Sequence, residues 1–347
     1  MKPLVGVNYF SGWWRDAPNK WRDAKRPSMD WRENYVNRIP LNGCFDDQET
    51  MDQDILTAEK YGIDFFQMLW YPVDSASTQC DAPHRHHLNA GIEHFCSSPH
   101  NNRMHFILEY CNHPPFSILE DHEWLETCKF WAQYFQHPSY LTIDGKALFK
   151  IHGFKLFQEQ CGHDPAVIRS RLTTLKETAK KYAQKDLIIT GGIVSENIGE
   201  ELLQSLDLVD FYSVYMDLPQ MPSRDTDYPY SELLAFSLSF AQKCAELNIP
   251  FMPYFPVGWN PRPWYDPRPS FSIPDGTQIK DGIIKLCDLI AKNPTLGMQS
   301  GNTHVDAFTM YAWNEFGEGG YLAPTLVEYD GKLQGLKQGL DCVCRTY

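Results

Sequence analysis

Ala307-Phe308-Thr309-Met310-Tyr311-Ala312-Trp313-Asn314-Glu315-Phe316-Gly317-Glu318-Gly319-Gly320 begins as an apolar, aromatic run of strand length and ends abruptly in two carboxylates among glycines. A buried strand has no packing use for Asn-Glu-x-x-Glu at its exit. Glycines at that point let the backbone turn sharply and let a ligand come close. Two carboxylates facing one small region are what glycosidic cleavage needs: one proton donor, and one base or nucleophile. An isolated Glu-x-x-Glu reads more readily as a solvated turn or a helix N-terminus, where acids are favoured. The strand leading in, Trp313, Asn314 and the glycines turn the reading towards a site.

Working outward, the same kind of apolar run recurs eight times: Leu4–Phe10, Ile63–Tyr71, Met104–Tyr110, Ala147–His152, Leu187–Val194, Phe211–Met216, Pro250–Val257 and Ala307–Trp313. Helical patterns at Glu49–Tyr61, Leu88–Phe95, Ile118–Phe135, Pro165–Ala183, Glu232–Leu247 and Ile279–Ala291 separate most of them. Strands alternating with helices imply βα units and a parallel sheet. Eight units predict an α/β fold of the (β/α)8 TIM-barrel type, one catalytic domain over residues 1–347, with its site at the C-terminal strand ends. The rival is a doubly wound open sheet, but no Gly-x-Gly-x-x-Gly opens any helix. Ser11–Gly43, Pro72–Leu88, Pro219–Tyr228 and Gly258–Gly276 are long irregular stretches after the first, second, sixth and seventh runs, which places them on the catalytic rim.

At 347 residues and 43% hydrophobic the chain has ample core, and its net charge of -13 argues against nucleic acid and anionic membranes as partners. No run reaches membrane-spanning length. The ten cysteines are scattered without a Cys-x-x-Cys pair, so neither a zinc site nor a redox motif is indicated. The first residues run straight into a strand without a signal-peptide core, so a cytoplasmic location is expected, or a periplasmic or secreted one if a leader has been removed. His84-Arg85-His86-His87 reads as a solvated loop rather than a metal site, since only Asp81 lies near. No cofactor is expected, and no Gly-x-Ser-x-Gly indicates a serine nucleophile.

In a barrel the polar strand exits converge. They are Asn8, Tyr9, Trp70, Tyr71, Glu109, Asn112, His152, Tyr215, Trp259, Asn260 and Asn314, with Trp13 on the first long loop and Glu315 and Glu318 as the catalytic pair. Such a mixture suits a neutral, hydroxyl-rich ligand, with rings on sugar faces and amides and acids on hydroxyls. Each of the tyrosines reads equally well as a buried residue with its hydroxyl satisfied.

Several of these residues resemble a known family. Asn8-Tyr9-Phe10-x-Gly12-Trp13, Pro40-Leu41-x-Gly43-x-Phe45-Asp46-Asp47 and Ala58-x-x-Tyr61-Gly62-Ile63-Asp64-Phe65-Phe66 are similar to WbsX-like proteins, relatives of glycoside hydrolase family 99. So is Met104-x-Phe106 leading to Asn112. Most specific is Trp313-Asn314-Glu315-Phe316-Gly317-Glu318-Gly319-x-Tyr321-Leu322-x-Pro324, which resembles the family's Asn-Glu-Trp-x-Glu-Gly signature. Phe316 stands where Trp is usual, and Tyr110-Cys111-Asn112 where Trp-Ala-Asn is usual. The resemblance implies a (β/α)8 barrel acting on an oligosaccharide or polysaccharide, α-linked and with retention. It implies Glu315 as base on the sugar 2-hydroxyl through a 1,2-anhydro intermediate, and Glu318 as general acid, then base. WbsX-like settings in polysaccharide assembly leave a glycosyltransferase open, although no Asp-x-Asp motif follows a strand. A glycan-binding barrel without turnover is the other alternative.

Overall fold

The computed structural model describes residues 2–15, 19–72, 87–223 and 226–346. The eight runs form the strands β1 (Leu4–Tyr9), β2 (Phe65–Trp70), β3 (His105–Tyr110), β4 (Lys146–Ile151), β5 (Leu187–Gly192), β6 (Phe211–Ser213), β7 (Tyr254–Pro256) and β8 (Ala307–Tyr311). They pair in the order β6-β5-β4-β3-β2-β1-β8-β7, all parallel. The two ends then meet: the Tyr212 N–H donates to Pro250 O, and the Met252 N–H to Tyr212 O, both over 2.8 Å. The result is a (β/α)8 TIM barrel, brought to closure between β6 and β7 by these two hydrogen bonds.

The helices around it are α1 (Gln48–Lys60), α2 (Ala90–Ser97), α3 (Asp121–Phe135), α4 (Phe154–Gln160), α5 (Pro165–Thr178), α6 (Glu200–Leu203), α7 (Tyr230–Glu246), α8 (Gly276–Lys292) and α9 (Gly331–Thr346). Local signals fix several starts. Asp47 accepts from the Thr50 N–H over 3.0 Å, Pro165 opens α5 behind Asp164, and Asp275 with Gln278 closes a capping box on α8. α9 has no counterpart in the sequence reading. Its Gly331, Gly335 and Gly339 lower helix propensity. Their spacing of four puts them on one face, and α8 comes so near that a Cβ on Gly335 would meet Gly276 O at 2.0 Å.

Pleating decides what each strand offers the barrel, because successive side chains face opposite sides. One set points to the helices. Trp70 packs on Trp131 of α3 with ring centroids 5.0 Å apart, Tyr110 on the same ring at 5.3 Å, and the Tyr9 hydroxyl donates to Asp54 of α1 over 3.1 Å. The other set meets inside. The Gln67 amide donates to Asn8 Oδ1 over 2.6 Å and to Glu109 Oε2 over 2.7 Å, and Lys150 Nζ lies 3.1 Å from Glu109 Oε1. Glu109 and Lys150 are both fully buried. Burial pushes the Glu109 carboxyl up, but Lys150 and His152 outweigh it and hold it below the usual range.

This polar belt is a floor beneath the C-terminal mouth, and removing one partner leaves a buried charge unanswered. Glu109→Leu or Lys150→Met alone should each cost about 3–5 kcal/mol in urea denaturation, while the double variant should cost clearly less than their sum. Additive losses would show that the two charges do not depend on each other.

Candidate active site

The exit of β8 is tied down before the acids are reached. The Trp313 N–H donates to Asn8 O over 2.8 Å, and the Asn314 side chain brackets the Phe10 backbone, accepting over 2.9 Å and donating over 2.8 Å. Asn314–Glu315 then pairs antiparallel with Gly320–Tyr321, making a small hairpin whose tip is the turn Phe316–Glu318. Gly319 sits at φ +74°, and Gly317 lies under the Trp264 ring, where a Cβ would come within 2.1 Å of a ring carbon. These two positions explain why glycine interleaves the acids.

Arg38, buried, clamps the tip from below. Its guanidinium donates to Phe316 O over 3.0 Å and to both Asn260 O and Asn260 Oδ1 over 2.9 Å, while the Asn260 N–H donates to Glu318 O over 2.6 Å. The long segment after β1 adds a tryptophan cluster. Trp13 stacks on Trp21 at 4.0 Å, and its indole N–H donates to Asn314 O over 3.0 Å.

The mouth holds a cavity of about 550 Å³ that both acids reach. The Glu315 side chain accepts from the Tyr215 hydroxyl over 2.6 Å, and its other oxygen has no partner among the described residues. Glu318 accepts from the Tyr311 hydroxyl and lies 3.6 Å from the Arg268 guanidinium. Glu315 is 5% exposed as a residue, whereas the Glu318 side chain is 18% exposed. Burial, then the charge of Glu318, pushes Glu315 from 4.5 up to about 8, against the pull of Tyr215, Lys20 and Arg268. Burial also raises Glu318, opposed by Tyr311 and Arg268. The two carboxyls therefore titrate as a pair with a proton retained towards neutral pH.

Of the residues expected at the site, Tyr71, His152, Tyr215, Trp259, Glu315 and Glu318 line this cavity. The others are placed elsewhere. Tyr9 and Trp70 belong to the helix-facing set, because two consecutive strand residues cannot both face the mouth. Asn8 and Glu109 face inward but lie one pleat lower, in the polar belt. Asn112 braces the next loop, bonding Gly153 N and O over 2.9 Å each. Trp13, Asn260 and Asn314 hold the hairpin in place rather than lining the cavity. Lys20, Cys111, His113, Phe116, Trp264 and Arg268 line the cavity without having been expected there. Most sit on loops, where no periodicity marks a direction. Tyr311, which the apolar strand hid, could have been found from its even spacing with Thr309 along β8. Among the described residues no group of three or more His, Cys, Asp or Glu is placed to hold a metal ion. His84, Arg85 and His86 lie outside the described residues.

No protein-family model and no curated protein matches the chain. Among solved structures it is similar to the GH99 endo-α-mannosidase from Bacteroides thetaiotaomicron, with 14% identity, TM-score 0.61, and 98% of this chain and 97% of that one covered. It is also similar to an exo-β-1,4-mannosidase from Opitutaceae bacterium strain TAV5, at 8% identity and TM-score 0.57, covering 99% of this chain and 60% of that one. A GH5_18 protein from Streptomyces cattleya in complex with Manβ1-4GlcNAc shares 12% identity at TM-score 0.54, with 99% and 81% covered. At such identities the likeness carries the barrel fold.

The carboxyl pair can be read without any ligand. In a glutamate-selective 13C carboxyl titration, one signal absent from Glu315→Gln should titrate near 8, against the usual 4.5. Glu318→Gln removes a neighbouring charge and should move that signal to lower pH. Titration of Glu315 near 4.5 would contradict the electrostatics described.

Proposed function

We propose that the protein is a glycoside hydrolase that cleaves α-linked oligosaccharides or polysaccharides with retention, using Glu318 and Glu315. The observation that carries this reading is the pair itself: two carboxyls on one hairpin, both raised by burial, opening into one aromatic-walled cavity. The likeness to glycoside-hydrolase barrels and the resemblance of the hairpin to the family 99 signature support it. Glu318 is the proton donor. It is the more exposed acid, and a group that hands a proton to a departing sugar and then takes one from water must be reachable from outside. Glu315 is the base. Near neutral pH the free protein keeps the pair's proton on Glu315, so these roles require it to pass to Glu318 when the glycan binds, and their assignment rests on the resemblance of the hairpin.

In the first step Glu318 gives its proton to the glycosidic oxygen and the C1–O bond breaks. Glu315 takes the proton of the 2-hydroxyl as O2 closes on C1, giving a 1,2-anhydro sugar. In the second step water, losing a proton to Glu318, opens that ring at C1, and O2 recovers its proton from Glu315. Both acids end as they began. Tyr215 and Tyr311 each donate to one acid and set its orientation. Trp259 and Tyr71 supply binding walls.

The test is turnover on a panel of α-linked oligosaccharides and nucleotide sugars, with products identified by mass spectrometry. Glu318→Gln should lose roughly 10²–10⁴-fold on poor leaving groups but stay within about tenfold on activated aryl glycosides, which need little protonation. Glu315→Gln should fail on both. The reverse pattern would swap the roles. Transfer from a nucleotide sugar without hydrolysis, or a bound glycan left uncleaved, would overturn the hydrolase reading.

A further inference from the structure

Lys20 stands on the wall of the cavity that holds Glu315 and Glu318. It comes from the long segment after β1, and its backbone is gripped: the Trp31 indole N–H donates to Lys20 O over 2.7 Å, and Trp31 packs on Trp21 at 5.1 Å. Its ammonium lies 5.2 Å from the centre of the Phe10 ring and 5.0 Å from that of Trp264. Among the described residues it makes no ion pair, and Glu315 and Glu318 act on it only from beyond pairing distance. Arg268, the other cation on this wall, is already engaged. Asp266 holds it through contacts of 3.0 and 2.6 Å, Glu318 lies 3.6 Å away, and it covers the Trp259 ring at 4.3 Å.

Among the described residues this half-buried ammonium has carboxyls only beyond pairing distance, and rings on two sides offset little of its lost hydration. The chemistry at the neighbouring acids sharpens the problem. Glycosidic cleavage develops positive charge on the sugar ring, and a fixed cation beside it opposes that charge. The conflict disappears when the substrate brings a negative group to Lys20. A plain counter-ion for the two acids would act alike on neutral and charged sugars, which separates the two roles by experiment.

We propose that Lys20 is the receptor for an acidic substituent of the glycan, a carboxylate, sulfate or phosphate on the sugar bound beside Glu315 and Glu318, so that the substrate is an anionic glycan. This rests on the glycan reading above, though not on turnover. The protein carries -13 overall, so the attraction is local to the cavity, and a sparsely charged glycan fits better than a dense polyanion.

Calorimetric binding to the whole protein decides it. The probes are methyl α-glucoside against methyl α-glucuronide, and methyl α-mannoside against its 6-sulfate and its 6-phosphate, which separate the three acidic groups. At least one acidic probe should bind about tenfold or more tightly than its neutral parent. That ratio should fall to about one in Lys20→Gln and persist in Lys20→Arg, which also reports that the segment still folds. No acidic preference in the wild type, or a preference that survives Lys20→Gln, overturns the proposal. Cleavage of neutral α-linked oligosaccharides alongside that result would leave the hydrolase reading standing. A Lys20-dependent preference without cleavage of any glycan would do the opposite.

Discussion

Everything around the mouth of the barrel follows from one constraint: Glu315 and Glu318 are held close together out of water. Neither burial nor like charge favours that arrangement, and both push the carboxyls towards protonation. The surroundings answer with fixed donors and cations. Tyr215 donates to one acid and Tyr311 to the other, while Arg268 and Lys20 lower the cost of the remaining charge. The hairpin carrying the acids is in turn fastened by Asn314 to β1, by Arg38 to the loop after β7, and by Trp13 to the tryptophan cluster. The long segment after β1 thereby acquires a purpose, since it supplies Trp13, Lys20 and Arg38.

The fold was legible because strands and helices leave periodic marks. Each of the eight apolar runs is a strand, and the helical pattern that begins at Pro165 is the start of α5. α9 was not legible, because its glycines serve close approach to α8 and that is a tertiary fact. The acids were legible as a pair because nothing in a buried strand needs them. Their neighbours were harder to read. Taking consecutive exits such as Asn8 with Tyr9, or Trp70 with Tyr71, ignored the pleat, which sends one member of each pair to the helices.

Depth is a second thing the letters do not carry. Glu109 looks like a third site carboxylate, yet it lies one pleat below the cavity, answered by Lys150 and His152 and held charged. Glu315 has the same side chain with the opposite electrostatics. The difference is that Glu109 has a cation at 3.1 Å and Glu315 has a second carboxyl nearby. Lys20 and Arg268 come from irregular segments where direction cannot be inferred from period, so the charge balance of the site was hidden until the loops were placed.

The fold carries this carboxyl pair against its own stability. A folded-state pKa of about 8, above the ordinary 4.5, makes the native protein bind its proton more tightly than the unfolded chain. The resulting contribution is fully present below pH 4.5 and is lost as pH rises to about 8. The most direct measurement is the unfolding free energy of Glu315→Gln against wild type from pH 5 to 8. The variant should gain stability relative to wild type as pH rises, reaching about 3–5 kcal/mol between neutral pH and pH 8. A difference that stays flat with pH, or a variant that grows less stable towards pH 8, would contradict it.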